Sequence, residues 1–485
     1  MEIINSNKIK VYLVNPDYML YSMPPLGLAY LASYIREKNP LVNIKIFDQT
    51  HPQKLLKIIE KDKPEIVGIS AVSENWYRVK KLATDVKTRF NKTKLILGGV
   101  HVTLQPFCFK ETSFDYAVLG EGELIFKELL DLIQNGNDTI ENLRKVKGIL
   151  FRNGDEVINT GAGEKIKNLN EIPLPALDLL DMNYYLLPSF YYGLKKTFIV
   201  QTSRGCPFNC KFCASSSFWG RDIRYFSAER IVDEIEKIYK VYKCDIIFMQ
   251  DDLFSINEKR IEEVIEGLKR KNISGKIKFI ASARTDIFKE STAKLFKELG
   301  VFEVAFGFES GSEKILKWLK GGNISIETHI RAIELCKKYN LKCYGYFMAG
   351  SPYETLEDIE KTHEFIKKYF GNNFIIYQTF PYPQTGLWDY ALKNGIVDDN
   401  IFEKEVKNFF ETDFKYLLTK EIPKEEFKKK FNEIRNERIE IYRDIYLSNI
   451  KNINFEVLKS FFSVPFIKKA WSLRKRFLNK MKKRK

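Results

Sequence analysis

The chain has 485 residues, more than one compact core usually holds, so we expect two or three domains. Apolar residues make up 44% and charged residues 29%, and no run of about 20 apolar residues predicts a transmembrane helix. The formal net charge is +16, but ten lysines and arginines and no acids fall within residues 465–485, so much of the excess belongs to the C-terminal tail.

The N-terminal part of the chain alternates strand patterns with helix patterns. Residues 1–8 lack the basic start and apolar run of a signal peptide, and we expect a cytoplasmic protein. The predicted strands are 10–15, 43–48, 65–70, 94–99 and 116–120, with helices at 26–38, 53–61, 76–89 and 124–134. This alternation predicts an α/β domain over residues 1–140, a doubly wound, Rossmann-like parallel sheet whose ligands bind beyond the carboxyl ends of the strands.

Residues 141–195 break this pattern, and we interpret them as a linker. The segment from Arg152 to Glu156 contains Asn-Gly-Asp and predicts a hairpin turn. Pro173 and Pro175 favour an extended chain just before the next series of strands.

A second series of strands and helices occupies residues 196–395. The predicted strands are 197–202, 245–249, 276–281, 301–308, 342–348 and 374–380, and the helices are 228–242, 258–271, 292–299, 326–339 and 356–369. Six such strands predict a partial, TIM-like (β/α)6 barrel, in which chemistry gathers at the carboxyl strand ends. A mostly helical C-terminal region is expected over residues 396–464, followed by a basic amphipathic tail over residues 465–485.

The tail interleaves apolar and aromatic residues with its basic ones. This pattern is typical of a helix lying on an anionic membrane surface, which would place the protein peripherally on the inner face of the membrane. A solvated tail is the alternative, and phosphate binding is a weaker one, so nucleic acid is not the partner we expect.

Seven cysteines form no disulfide framework, because their number is odd and only three are clustered. Four lie in or beside apolar stretches and are expected in the core: Cys108, Cys244, Cys336 and Cys343. The clustered ones, Cys206, Cys210 and Cys213, directly follow the first strand of the second series. Three thiolates on one loop can hold a [4Fe–4S] cluster and leave one iron open, whereas zinc would require a fourth Cys or His nearby.

The segment Arg204-Gly-Cys-Pro-Phe-Asn-Cys-Lys-Phe-Cys213 resembles the motif of the radical S-adenosylmethionine superfamily, with Phe212 in its aromatic position. The resemblance implies that the open iron binds the amino and carboxylate groups of S-adenosylmethionine. One electron from the cluster then breaks the sulfur–ribose bond, and the resulting 5′-deoxyadenosyl radical abstracts hydrogen from an unactivated carbon. The resemblance covers roughly residues 8–395.

Polar motifs at the later strand ends of the second series are similar to the cofactor contacts of that superfamily. The resemblance implies contacts with S-adenosylmethionine from Phe212, Asp251, Asp252, Arg284, Glu309, Ser310 and Gly350. The two aspartates would face the methionine end or the substrate, and Arg284 the cofactor carboxylate. Glu309 and Ser310 would face the ribose, and the glycine would let the backbone approach the adenine. Capping of the following helices is the alternative role for the acids.

Three motifs in the first domain resemble the cobalamin-binding domain of a large radical subgroup: Pro24-Pro-Leu-Gly-Leu-Ala-Tyr-Leu31, Gly98-Gly-Val-His101 and Leu119-Gly-Glu-Gly-Glu123. The implied cobalamin contacts are Leu26, Gly27, Trp76, Gly98, Gly99, His101, Gly120, Glu121 and Gly122. The Asp-x-His-x-x-Gly motif of many cobalamin domains is absent, so the vitamin would bind without a histidine ligand. Trp76 would then face the lower side of the corrin, or else be a core residue, as an aromatic residue at a helix start more often is. His101 would support the site or the fold without binding cobalt.

The resemblance implies an anaerobic, cobalamin-dependent radical enzyme, and a methyltransferase acting on an unactivated carbon of a small-molecule or lipid substrate is the favoured activity. A radical cyclase or ring-contraction enzyme would use the same cofactors, and a redox or cobalamin sensor would bind them without cleaving S-adenosylmethionine. Product mass separates the two enzymes, because methylation adds one CH₂ and cyclisation adds no carbon. The expected protein partner is an electron donor: a reductase, flavodoxin or ferredoxin.

Overall fold

Two seven-stranded sheets form the frame of the molecule in the computed structural model. The structure describes residues 9–16, 23–189, 191–403 and 414–450, the last with side chains to residue 438. The predicted α/β class is confirmed, with a Rossmann-like sheet followed by a partial barrel and a helical C-terminal segment.

The first sheet has five parallel strands and an antiparallel hairpin at one edge. Its strands are β1 (Ile9–Asn15), β2 (Val42–Asp48), β3 (Ile66–Ser70), β4 (Lys94–Gly98), β5 (Tyr116–Val118), β6 (Ile149–Asn153) and β7 (Glu156–Asn159). Its helices are α1 (Leu26–Lys38), α2 (Pro52–Asp62), α3 (Trp76–Arg89), α4 (Val100–Leu104), α5 (Gly122–Gln134) and α6 (Ile140–Leu143). The spatial order β2-β1-β3-β4-β5-β6-β7 reverses direction between β1 and β3, where doubly wound sheets bind ligands.

Both faces of this sheet are covered, which the nearly continuous apolar runs of its strands require. Successive side chains of a strand point to opposite faces. Val11 and Leu13 of β1 therefore pack into one hydrophobic core, and Tyr12 and Val14 pack into another on the other face.

The hairpin β6–β7 belongs to the first sheet, although our sequence analysis assigned its residues to the linker 141–195. Val118 pairs with Ile149, and Tyr116 pairs with Phe151, so β6 lies antiparallel beside β5. Ile149 and Phe151 are fully buried and complete the core beside the three-residue strand β5. This part of the predicted linker therefore forms the edge strands of the first sheet. The other domain boundaries remain predictions.

The second sheet is an open, curled half-barrel. Its strands are β8 (Pro188–Ser189), β9 (Lys195–Val200), β12 (Ile246–Met249), β13 (Lys278–Ala283), β14 (Val301–Glu309), β15 (Lys342–Ala349) and β16 (Phe374–Gln378), while β10 (Ser203–Arg204) and β11 (Arg224–Tyr225) form a separate ribbon. The six strands from β9 to β16 are parallel and neighbour one another in chain order, as a partial barrel requires.

Helices cover this half-barrel and continue past it. They are α7 (Met182–Tyr185), α8 (Ser215–Trp219), α9 (Ala228–Tyr242), α10 (Glu258–Arg270), α11 (Glu290–Leu299), α12 (Glu313–Lys320), α13 (Ile326–Lys338), α14 (Leu356–Tyr369), α15 (Gly386–Lys393) and α16 (Lys424–Ile450). None of the helices in the described ranges is both long and apolar enough to cross a membrane. The predicted basic tail, residues 465–485, lies outside the described residues.

Phe151 offers a test of the edge hairpin. Phe151→Ala should lower the free energy of unfolding by about 3–5 kcal/mol, because it leaves a cavity in a closed core. Glu156→Ala, at an exposed position in the same hairpin, should change it by no more than about 0.5 kcal/mol. Hydrogen exchange of the Ala117 and Val118 amides during urea titration measures the local effect. Unchanged exchange in Phe151→Ala would contradict the placement of the hairpin.

Candidate functional site

The chain leaves the carboxyl end of β9 and forms the short strand β10. The loop that carries Cys206, Cys210 and Cys213 begins immediately after β10. Gly205 turns the chain into this loop with a φ of 103°. A Cβ atom built there would lie 2.3 Å from the carbonyl oxygen of Asp222, so the turn excludes any larger residue.

The cysteine loop is held from both sides by backbone hydrogen bonds. The amide of Lys211 donates to the carbonyl of Leu319 at 2.8 Å. The carbonyl of Lys211 accepts from the amide of Leu387 at 2.9 Å. Phe212, predicted to contact S-adenosylmethionine, packs against the apolar core on this side. The loop is therefore positioned by α12 and α15 before any cofactor binds.

The three thiols have the chemistry that an iron–sulfur cluster needs. Burial raises the pKa of Cys213 to about 12 and also raises the pKa of Cys206, whereas bound metal deprotonates a coordinating thiol. All three thiols lie on one loop, so they can hold a cluster and leave one iron open. These residues fit a cluster.

Arg284 points at the cysteine loop. It donates to the Sγ of Cys210 at 3.0 Å and forms two hydrogen bonds with the carboxylate of Asp286, at 3.1 and 2.9 Å. Its guanidinium lies 3.7 Å from the centre of the Phe208 ring. Arg284 is thus fixed beside a cluster ligand, and its contact with a cofactor carboxylate stays a prediction.

Asp251 and Asp252 follow β12 but have different surroundings. Asp251 is buried and accepts hydrogen bonds from the amides of Thr202 at 2.6 Å and Ser203 at 3.0 Å, so it fixes the start of the cysteine loop. Asp252 is exposed in the barrel mouth and accepts a hydrogen bond from Ser215. Although the residue is exposed, the surrounding protein removes water from its carboxyl group, and this desolvation raises the pKa of Asp252. Of the two, Asp252 is the carboxylate open to a ligand.

Glu309 and Ser310, predicted near the ribose, lie at the carboxyl end of β14 and are both buried. Glu309 has a φ of 63° and pairs with Lys320 at 3.1 Å. The hydroxyl of Ser310 accepts from the amide of Ser312 at 3.1 Å and lies 3.2 Å from the hydroxyl of Thr362. Both side chains are held by the protein at the predicted strand end, and their ribose contacts remain predictions.

Gly350, predicted near the adenine, directly follows β15 and has a φ of 87°. A Cβ atom there would lie 2.9 Å from Leu417 and 3.0 Å from Phe427, so the C-terminal segment packs against this glycine. Its amide and that of Ser351 donate to Glu354, which is fully buried. Burial raises the pKa of Glu354 to about 8.

A cavity of about 280 Å³ opens at the carboxyl edge of the first sheet, where the strand order reverses. Strand ends of β1, β3 and β4 form one wall, and Arg204, Phe218 and Trp219 come from the opposite side. Six of the residues predicted to bind cobalamin line it: Gly27, Gly98, Gly99, Gly120, Glu121 and Gly122.

The glycines of this cavity make it suitable for a large planar ligand. A Cβ atom built on Gly27, Gly98 or Gly120 would meet no protein atom within 4 Å and would stand in open space. Side chains at these positions would therefore fill the cavity that bare backbone leaves free. The residues fit a corrin ring at this edge.

Trp76, His101 and Leu26, also predicted at the cobalamin site, do not line this cavity. Trp76 is 1% exposed and donates to Glu403 at 2.9 Å, and its ring lies 4.6 Å from that of His101. Burial lowers the pKa of His101 to about 3, so its ring is neutral, and its Nδ1 lies 3.0 Å from the hydroxyl of Ser73. Leu26 is buried at the start of α1. All three are core residues here because neighbours from distant segments cover them.

A buried ion cluster joins the two predicted cofactor sites. Arg204, two residues before Cys206, donates to Glu121 at 2.9 Å and to Glu123 at 2.6 Å, and Arg224 also bonds Glu121. Burial opposes the charge of Arg204, but the two carboxylates outweigh it and raise its pKa. Sequence reasoning gave no role to Arg204, Phe218 or Trp219, and only the position of Arg204 beside the cysteine motif could have indicated one.

Arg204→Met should lower the free energy of unfolding by about 3–5 kcal/mol, because Glu121 and Glu123 would stay buried with too little compensating charge. Arg36→Met is the matched control, since the pair Arg36–Asp178 is partly exposed and should contribute no more than about 1 kcal/mol. Urea unfolding measures both. Equal losses in the two variants would contradict the structural role of the buried cluster.

Glu354 should make stability depend on pH. Its pKa near 8 in the folded chain exceeds the value of about 4.3 for an unfolded glutamate, so the folded state binds this proton more tightly. This contribution is fully present below about pH 4 and is lost as the pH rises through about 8. Relative to Glu354→Gln, the unmodified chain should therefore lose stability between about pH 5 and pH 9 in urea titrations. A constant difference would contradict the raised pKa.

Comparisons with known proteins indicate the same cofactors. The family model of the radical SAM superfamily matches residues 200–366, and that of the B12 binding domain matches residues 17–130. An uncharacterized methyltransferase of Pyrococcus horikoshii is 37% identical over 380 residues, which cover 77% of this chain and 80% of that relative. An anaerobic magnesium-protoporphyrin IX monomethyl ester cyclase of Rubrivivax gelatinosus is 28% identical over 390 residues, 77% of this chain and 69% of the cyclase.

Two solved structures have a similar fold. The cobalamin-dependent S-adenosylmethionine radical enzyme OxsB aligns with a TM-score of 0.63 and 21% identity, over 80% of this chain and 55% of OxsB. The radical S-adenosylmethionine methyltransferase TsrM from Kitasatospora setae aligns with a TM-score of 0.65 and 18% identity, over 80% of this chain and 78% of TsrM. The chain thus spans little more than half of OxsB. On the family models and the Pyrococcus horikoshii relative, the chain belongs to the cobalamin-dependent radical S-adenosylmethionine enzymes, which use a [4Fe–4S] cluster, S-adenosylmethionine and cobalamin.

Proposed function

We propose that this enzyme methylates an unactivated carbon of a small-molecule or lipid substrate. The position of Arg204 supports the radical, cobalamin-dependent part of this proposal, because this residue begins the cysteine loop, lines the glycine-rich cavity and bonds Glu121 within it. The proposed cluster site and the proposed cobalamin site would therefore be adjacent, as hydrogen abstraction and methyl transfer at one carbon require. The Pyrococcus horikoshii relative that is 37% identical is named a methyltransferase, which favours methylation.

Different residues of the chain would hold each cofactor and bind the substrate. When bound, the cluster supplies the electron that cleaves S-adenosylmethionine, and cobalamin supplies the methyl group. Cys206, Cys210 and Cys213 would hold the cluster, and Arg284 would orient Cys210. Asp252, on the wall of the barrel mouth, would accept a hydrogen bond from the cofactor or the substrate.

A radical cyclase is the second candidate, and one observation favours it. The relative from Rubrivivax gelatinosus is named a cyclase, and it is similar over 77% of this chain. Both activities need the same cofactor sites, so the product has to decide between them. A mass increase of one CH₂ identifies the methyltransferase, and a product with no added carbon identifies the cyclase.

The remaining partners are part of this proposal. A flavodoxin, ferredoxin or reductase would deliver the electron to the cluster, and the basic tail would bring the enzyme to the inner face of the membrane. The electron donor and the membrane contact can each be tested with the purified chain, separately from the methylation. Anionic vesicles serve the test of the membrane contact.

Anaerobic reconstitution with iron, sulfide and hydroxocobalamin should load about four irons and about one cobalt per chain. Reduction in the presence of S-adenosylmethionine should then release 5′-deoxyadenosine. Cys210→Ala should abolish this release because it removes a cluster ligand. Cys244→Ala, at a buried cysteine outside the loop, should retain it.

Iron loading and 5′-deoxyadenosine without cobalt would overturn methyl transfer through cobalamin and leave the radical chemistry intact. Loaded cofactors without any 5′-deoxyadenosine, with or without candidate substrates, would favour a sensor. Retained release in Cys210→Ala would contradict the assignment of the cluster ligands.

A further inference from the structure

A second cavity, of about 500 Å³, lies inside the half-barrel. Its volume falls within the range of roughly 300–1,000 Å³ that is usual for small-molecule sites. Alternate residues of β12, β14 and β15 contribute to its wall, since successive side chains point into and out of the barrel, and three successive residues of β9 also line it. The strand residues that line it are Thr197, Phe198, Ile199, Ile246, Phe248, Ile280, Glu303, Ala305, Tyr344 and Tyr346, and the others are Met23, Pro24, Tyr185, Tyr191 and Tyr192.

Aromatic rings dominate this wall. Five tyrosines and two phenylalanines line the cavity, and several rings stand edge to face. The ring centres of Tyr191 and Tyr192 are 4.6 Å apart, and those of Tyr344 and Tyr346 are 5.4 Å apart. Such walls give a large apolar contact area at fixed positions, with hydroxyl groups at the ring tips.

The charge of the wall excludes some classes of substrate. Among the described residues that line the cavity, Glu303 is the one charged side chain, and it is 2% exposed. It accepts a hydrogen bond from Tyr192 at 2.9 Å and pairs with Lys342 at 3.0 Å. Lys342 balances the charge of Glu303, and no arginine or lysine lines the described wall, so a phosphate or carboxylate would lose its water there without gaining a free cation.

The cavity adjoins the glycine-rich cavity of the first sheet. Met23 and Pro24 line the barrel cavity, and Pro25 and Gly27 line the other one. Tyr185, also on the barrel wall, donates to Asp48 at the carboxyl end of β2. A molecule inside the half-barrel would thus lie beside the edge of the sheet that fits cobalamin.

We infer that the barrel cavity binds the substrate, and that this substrate is an uncharged, mostly apolar molecule with a hydroxyl group that reaches Thr197. The inference rests on the proposed function and adds the class of molecule that is methylated. The apolar wall selects the carbon skeleton, and anionic head groups are disfavoured because no arginine or lysine lines the described wall.

Farnesol and farnesyl phosphate test this inference, because they share one carbon skeleton and differ in charge. Isothermal titration of the reconstituted full chain with each probe, below its solubility limit, should show at least tenfold tighter binding of farnesol. Tyr346→Ala should weaken farnesol binding at least tenfold, and the matched control Tyr77→Ala, at an exposed position on α3, should leave it unchanged. Ala305→Phe fills the same cavity and should also weaken binding, while iron and cobalt content report on folding.

Equal or tighter binding of farnesyl phosphate would overturn the inference, and so would unchanged farnesol binding in both cavity variants. A chain that loads iron and cobalt and releases 5′-deoxyadenosine but binds neither probe would overturn the inference and leave the proposed function intact. A chain that binds farnesol in this cavity but loads no cobalt would support the site and overturn methyl transfer through cobalamin.

Discussion

The buried ion cluster of Arg204, Arg224, Glu121 and Glu123 is the constraint on which the arrangement of the two sheets depends. Removing charges from water is expensive, and the penalty is offset only when every charge finds a well-placed partner. Arg204 meets this condition by bonding Glu121, in the turn after β5, and Glu123, in the first turn of α5. The carboxyl edge of the first sheet must therefore face the cysteine loop, or these charges would be left without partners.

The regular elements could be predicted from local patterns. The helices Leu26–Lys38, Trp76–Arg89, Ala228–Tyr242 and Leu356–Tyr369 have the bounds that periodicity indicated, because amphipathic spacing and caps are properties of neighbouring residues. The pairing of Tyr116 with Phe151 could not be predicted in this way. It joins segments 35 residues apart, and no local pattern distinguishes an edge strand from a hairpin in a linker.

In the candidate site as well, local motifs indicated some residues, whereas the contacts of others depend on distant parts of the chain. Spacing alone indicated Cys206, Cys210 and Cys213, and short motifs indicated the glycines that line the first cavity. The surroundings of Trp76 depend on Glu403, which is 327 residues away along the chain. Asp251 likewise binds the backbone of Thr202 and Ser203. Such partners are set by tertiary structure, so a motif can locate a side chain at a strand end without showing what it contacts.

Pro24 and Pro25 stand between the two cavities, one residue facing each. Because proline fixes φ, the backbone between the two cavities is rigid at these two successive residues. A change of size in either residue would alter both cavities together, so a variant made there to widen the proposed substrate site would also reshape the proposed cobalamin site. Residues of β14 and β15, such as Tyr346, line the barrel cavity and not the other one. An engineer who wants to alter one cavity without the other should therefore begin with these two strands.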